Sequence, residues 1–149
     1  MAVNDLLAER FARADRLYAD LVDALTPEQL GSRLADLPSS TIGGQLWCVL
    51  GARESYPNAA RAGSWQGFTS PLTDEQMTDA SAVRAAFAQT AADVDGWLAD
   101  LESDDDLRYA LALLEHETQH HGQLIRYLYG LGIDRPESWQ RQYALDEHE

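Results

Sequence analysis

The stretch Leu113–Gly130, LLEHETQHHGQLIRYLYG, places three histidines and two glutamates within seven residues of an otherwise apolar helical pattern. At about 100° per residue, Arg108, Glu115, Gln119 and Arg126 fall on one side, which reads as the solvated face. Opposite runs a wide apolar arc. One edge holds Leu107, Ala110, Leu111, Leu114, Thr118, Ile125 and Leu128, and the other holds Leu113, His116, Glu117, His120, Leu124, Tyr127 and Leu131. His116 and His120 therefore stand one turn apart beside core leucines, where two imidazoles can grip one metal ion. The alternative is a pair of hydrogen-bonded core or interface histidines. His121 lies about 100° from His120, turned away from such a site. Glu117 also turns inward, which is costly for a carboxylate without a partner.

Three more helical segments flank this one. The first runs from about Val3 to Leu25, with Leu6, Leu7, Arg10, Phe11, Ala14, Leu17, Tyr18, Leu21 and Val22 in helical period. Thr26-Pro27 stops it, and TPEQL reads as a short capped turn. The second starts with Ser39 or Ser40 as its N-cap and passes Tyr56. Pro57 either kinks it or ends it, and NAARAG could carry it on to Gly63. Gly43, Gly44 and Gly51 weaken it locally but allow close backbone approach. The segment SWQGFTSPLTDEQMTD is long for a loop, so it is either functional or partly helical. The third helix covers about Ala80 to Leu101, capped by Asp79, with Val83, Ala86, Phe87, Thr90, Val94, Trp97, Leu98 and Leu101 inward. The acidic ESDDD run opens the fourth helix, about Asp105 to Leu131, which ends at Gly130 or Gly132. The tail beyond Pro136 has room for one short turn. With no period-2 pattern and no repeat, the expectation is an all-α chain of one domain over residues 1–149, an antiparallel four-helix bundle.

The totals set limits on function. The chain has 149 residues, 45% of them hydrophobic, enough for a core. A formal charge of −14 and a pI near 4.4 argue against nucleic acid and against an anionic membrane surface. The charged N-terminus reads as neither a signal peptide nor an anchor, and no apolar run approaches the roughly 20 residues of a membrane span. The single cysteine, Cys48, excludes an internal disulfide, so a cytoplasmic, reducing compartment is expected.

His116-Glu117-Thr118-Gln119-His120 matches HExxH, in which two histidines hold zinc and the glutamate is general base. The longer metzincin form needs Gly seven residues after the first histidine, but position 123 is Gln. A third ligand would have to come from Asp134, Glu137 or the acidic tail, and no strand is available to pair with a peptide. A zinc protease is therefore a remote alternative.

The segment HETQHHGQLIRYLYGLGI resembles the DinB/YfiT-like superfamily through its H-x-x-x-H-x-G-Q core and closing LG. TIGGQLWCVLGARESY is similar to the family's second-helix segment, and PESWQRQYAL is a looser match. Together these span the whole predicted bundle, with the H-x-x-x-H-x-G-Q piece the specific part. The resemblance implies an up-down-down-up four-helix bundle, often a homodimer. It implies a divalent metal, zinc or nickel, held by three histidines. Two of these map onto His116 and His120, and the third maps onto Cys48, where the family pattern expects histidine. Cys48 is then a thiolate ligand, a small apolar core residue beside a degenerate site, or a redox-sensitive thiol.

Family members with known activity are metal-dependent transferases or isomerases that use low-molecular-weight thiols, so a small-molecule substrate is implied. A metal with three protein ligands keeps an open position where a thiol is held as thiolate, ready to attack an electrophile. In that scheme Glu117 orients a ligand imidazole or accepts a proton. Arg53 meets an anionic group of the cofactor, or else snorkels or pairs with an acid. Trp139 and Tyr143 cover the mouth of the site, or else simply pack. The reading from a different class is a non-catalytic, stress-associated or binding bundle with a vestigial site.

Overall fold

The structure is a computed structural model that describes residues 2–147. Among the described residues the chain is all-α, with six helices and no strand. They are α1 (Val3–Ala24), α2 (Pro27–Leu30), α3 (Ile42–Ala62), α4 (Ala80–Ala99), α5 (Asp104–Gly130) and α6 (Glu137–Tyr143). No helix is long and apolar enough to cross a membrane.

The helix ends follow local chemistry. The Thr26 side chain accepts the Gln29 amide, and Pro27 occupies the first turn of α2, where its missing N–H costs nothing. The N-cap of α3 is Thr41, whose Oγ1 accepts the Gly44 amide at 2.9 Å, not Ser39 or Ser40. Those two serines are used elsewhere: Ser39 accepts the Leu34 amide and Ser40 accepts from the Gln45 side chain. Pro57 neither ends nor replaces the helix. α3 runs through it to Gly63, whose φ of 75° is the left-handed C-terminal conformation that suits glycine. Ser103 caps α5 by accepting the Asp106 amide. At its other end the Ile133 amide donates to Leu128 and the Gly132 amide to Tyr129, a paired C-terminal closure that requires the positive φ of Gly132 (65°).

The buried faces are narrower than the sequence pattern suggests. On α1 Leu7, Phe11, Ala14, Leu17, Tyr18, Leu21 and Val22 are buried, while Leu6 and Arg10 point outward. On α5 Leu111 is 49% exposed and Thr118 is also exposed, so that edge of the arc faces solvent. The long loop after α3 is strapped to the outer side of that helix and ends in a 3-10 turn, Asp74–Thr78. Ser55 exchanges two hydrogen bonds with the backbone of Thr69, and the Trp47 indole donates to the Leu72 carbonyl. Two α3 glycines make the approach possible. A Cβ at Gly51 would sit 2.3 Å from the Phe68 ring, and one at Gly43 would sit 2.3 Å from the Met77 carbonyl oxygen.

The long helices touch in a closed ring: α1 on α4, α4 on α3, α3 on α5 and α5 on α1. Their interior holds two apolar clusters. The larger gathers Leu17, Tyr18, Leu21, Leu46, Leu50, Phe87, Leu124, Leu128 and Trp139. The smaller gathers Leu7, Phe11, Ala52, Val94, Trp97, Ala110 and Leu113. Near the junction of the two, on every long helix, sits a polar residue: Asp15 on α1, Arg53 on α3, Thr90 on α4 and Glu117 on α5. These four bond to one another through Arg53.

Candidate metal centre

Cys48 on α3 and His116 and His120 on α5 bring three donor atoms within 4.8 Å of one another, a group that could hold a metal ion. The helical period places the two imidazoles on one face, with ring centroids 4.6 Å apart. The α3–α5 contact brings Cys48 across to them, and its Sγ lies 3.6 Å from His116 Nε2. A tetrahedral ion bound at about 2.3 Å from sulfur and about 2.0–2.1 Å from nitrogen needs neighbouring donors about 3.3–3.6 Å apart. The Cys48–His116 pair already has that spacing, and the 4.8 Å that bounds the other separations is about 1.2–1.5 Å wider. Sulfur with two imidazoles is a donor set suited to borderline and soft divalent ions.

The electrostatics favour ligand-ready histidines. Burial lowers the His116 pKa, and burial followed by repulsion from His116 lowers that of His120 to about 4. Both rings are therefore neutral near pH 7, the form that binds a metal. Burial pushes the Cys48 thiol up, so a thiolate there needs the positive charge of an ion beside it. Cys48 is half-buried, reachable from outside rather than sealed in the core.

Gln45 is a member of the site that the sequence pattern did not single out. Its Oε1 meets His120 Nδ1 in a short hydrogen bond, and it stands one turn before Cys48 on the same helix. An amide oxygen can only accept, so Nδ1 carries the proton and Nε2 keeps the free lone pair. The i, i+3 spacing to Cys48 was the available signal. The partner, 75 positions away, was not visible in the sequence.

The remaining candidate residues sit elsewhere. Glu117 is fully buried, and its carboxylate accepts from Arg53 Nε at 2.5 Å. Arg53 is 2% exposed and also reaches Asp15 at 2.5 Å and Thr90 Oγ1 at 3.3 Å, with Tyr18 and Phe87 against its guanidinium. Burial works against the Arg53 charge, but Glu117 and Asp15 together outweigh it and raise its pKa. Burial also raises Glu117, which Arg53 offsets only in part. Arg53 thus pairs with acids inside the protein. Trp139 is fully buried and donates its indole N–H to the Leu17 carbonyl at 2.7 Å. Tyr143 meets His121 Nδ1 at 2.6 Å, and Tyr18, Trp139 and Tyr143 enclose the His121 ring. Trp139 and Tyr143 therefore hold α6 against α1 and α5 around His121. Asp134 and Glu137 are exposed and stand apart from the metal-ligand group. The far end of the acidic tail, His148 and Glu149, lies outside the described residues.

An open cleft of about 690 Å³ borders the centre, lined by Tyr56, Ala112, Leu114, Glu115, His116, Thr118 and Gln119. No family model matches the chain, and no curated protein or solved structure matches it either.

Proposed function

We propose that the chain is a divalent-metal protein of DinB/YfiT-like type, an up-down-down-up four-helix bundle that carries zinc or nickel on Cys48, His116 and His120. The observation that carries this reading is the meeting of those three donors within 4.8 Å, two from α5 and one from α3. The topology is supported by the order of residues in the two cores. α1 and α5 pass from the smaller cluster to the larger, and α3 and α4 pass the opposite way.

The activity proposed is transfer or isomerisation that uses a low-molecular-weight thiol. When bound, a divalent ion with three protein ligands lowers the pKa of a thiol or water at its open position. The protein's own residues would do the rest. Gln45 fixes the His120 tautomer, His116 walls the neighbouring cleft, and the half-buried Cys48 leaves one side of the group open. Glu117 has a structural part in this scheme, because Arg53 engages its carboxylate in the core. The same engagement disfavours proteolysis, which would require Glu117 as a free base beside the ion.

Elemental analysis of purified protein tests the proposal. Near-stoichiometric metal in the wild type is expected, with loss in Cys48→Ala and in His116→Ala/His120→Ala. No uptake by the wild type after incubation with zinc or nickel would overturn it, leaving a non-catalytic bundle. Loss in the double-histidine variant alone would remove Cys48 from the ligand set.

A further inference from the structure

The cleft beside His116 has a definite chemical character. Its floor is apolar, from Ala112 and Leu114, and its one side-chain charge is the Glu115 carboxylate. Thr118 and Gln119 add neutral polar groups, and neither Lys nor Arg lines it. An aromatic series runs from Trp65 through Tyr56, which lines the cleft, to the metal-ligand group. Trp65, 50% exposed, packs on Tyr56 at 5.9 Å, Tyr56 packs on His116 at 6.0 Å, and His116 packs on His120 at 4.6 Å. A second cleft of about 430 Å³ shares Ala112 with the first and continues along α3 and α5 past Ala60, Gly63 and Tyr109. It does contain a cation, Arg108, but Asp105 answers that charge at 2.5 Å.

We infer that this cleft is the binding site of a flat, apolar co-substrate that is neutral or positively charged, and that it rejects carboxylates. The inference rests on the metal-centre reading for the word co-substrate, because His116 is the residue through which the cleft meets the ligand group. The cleft is open to solvent, with six of its seven lining residues on α5 between Ala112 and Gln119 and the seventh, Tyr56, on α3. Tyr56, which lines the cleft, offers a ring surface for stacking and for a cation, and Trp65 packs on it. Glu115 selects the sign of charge at close range, and the net charge of −14 repels anions at longer range.

The test uses three probes that share one ring system: (2-naphthylmethyl)trimethylammonium, 2-naphthylmethanol and 2-naphthoate. Each is titrated into the full chain at low salt, and the ring resonances of Tyr56 and His116 are followed by NMR. The cation and the alcohol are expected to shift both residues and saturate, with naphthoate at least about tenfold weaker than the cation. Glu115→Gln, an exposed substitution, should shrink the gap between cation and naphthoate. Tyr56→Ala should weaken the cation about tenfold, and its folding is checked by circular dichroism. Naphthoate binding as tightly as the cation, a gap unchanged by Glu115→Gln, or no shift at Tyr56 and His116 with any probe would overturn the assignment. The titrations are run on chelator-treated and zinc-incubated protein, with metal content measured on the same samples. The expected probe order in protein that takes up no metal would sink the metal centre alone. Loss of that order in metal-carrying protein would sink the cleft alone.

Discussion

At the scale of single residues, the proposed centre would depend on side chains outside its ligand set. Gln45 sets which nitrogen of His120 is free, so Gln45→Ala should weaken metal binding by about 10–100-fold while leaving the fold intact. Competition against a chromophoric chelator measures this, and an unchanged affinity would mean that His120 orients itself. Cys48→His is expected to keep metal bound, because the change supplies an imidazole where a thiolate stood, and to move the preference from zinc toward nickel. Metal content after parallel loading with both ions reads the ratio. His121 makes a different contribution. Burial, then Arg53, Arg13 and His120, lower its pKa from 6.5 to about 3. Above pH 6.5 it is neutral in both folded and unfolded chains and stability is unaffected by pH. Between pH 6.5 and about 3 the unfolded chain binds a proton that the folded chain refuses, so stability falls as pH falls. The slope from this group is at most about 1.4 kcal/mol per pH unit. Urea midpoints of metal-stripped protein at pH 7.5, 6 and 5 should drop more steeply for the wild type than for His121→Gln, and parallel curves would refute this.

At the scale of elements, the glycines separate close approach from mere helix weakening. A methyl at Gly43 meets the backbone oxygen of Met77 and a methyl at Gly122 meets nothing within 4 Å. Gly43→Ala should therefore cost about 1–3 kcal/mol, and Gly122→Ala should add about 0.5–1 kcal/mol, both read by thermal or denaturant unfolding. Gly51→Ala should fall between them, because its nearest obstacle, the Phe68 ring, is a 40% exposed side chain rather than backbone, with the Thr69 carbonyl oxygen next at 3.1 Å. The long helices and the inward set on α4 were legible in the sequence through the 3.6-residue period, whereas on α1 Leu6 and Arg10 fit the period and yet face solvent. The cap of α3 was legible only to within two residues. Ser39, Ser40 and Thr41 are all competent acceptors, and which one caps depends on where Leu34 and Gln45 fall in space. Pro57 was ambiguous for a similar reason: a proline removes one hydrogen bond, and only the packing on both sides decides whether the helix continues. The His116/His120 pair was legible from spacing alone. The partners of Glu117 were not, since Arg53 and Asp15 lie on other helices and nothing local links them.

At the scale of the whole molecule, the Asp15–Arg53–Thr90–Glu117 layer divides the interior into two apolar halves. Removing Arg53 strands the buried Glu117 carboxylate, whereas removing Glu117 leaves Arg53 with Asp15 as its remaining acid. Arg53→Met alone is expected to cost about 3–5 kcal/mol and Glu117→Leu less, because Asp15 still answers Arg53, while Arg53→Met/Glu117→Leu should recover much of the Arg53→Met loss. Denaturant unfolding of the three variants measures the coupling, and simple additivity would mean that the ion pair contributes nothing specific. The layer also bears on the metal-ligand group, which it does not join. Apolar contacts are non-directional, so they fix helix register less sharply than a buried ion pair with set partners. A slip of α3 against α5 by a single turn would move Cys48 about 5.4 Å from the two imidazoles. The same slip would pull Arg53 off Glu117, two side chains that are 1% and 0% exposed. The charged layer thus acts as a dowel through the helices, and the alignment of the three donors is inherited from a joint that touches none of them.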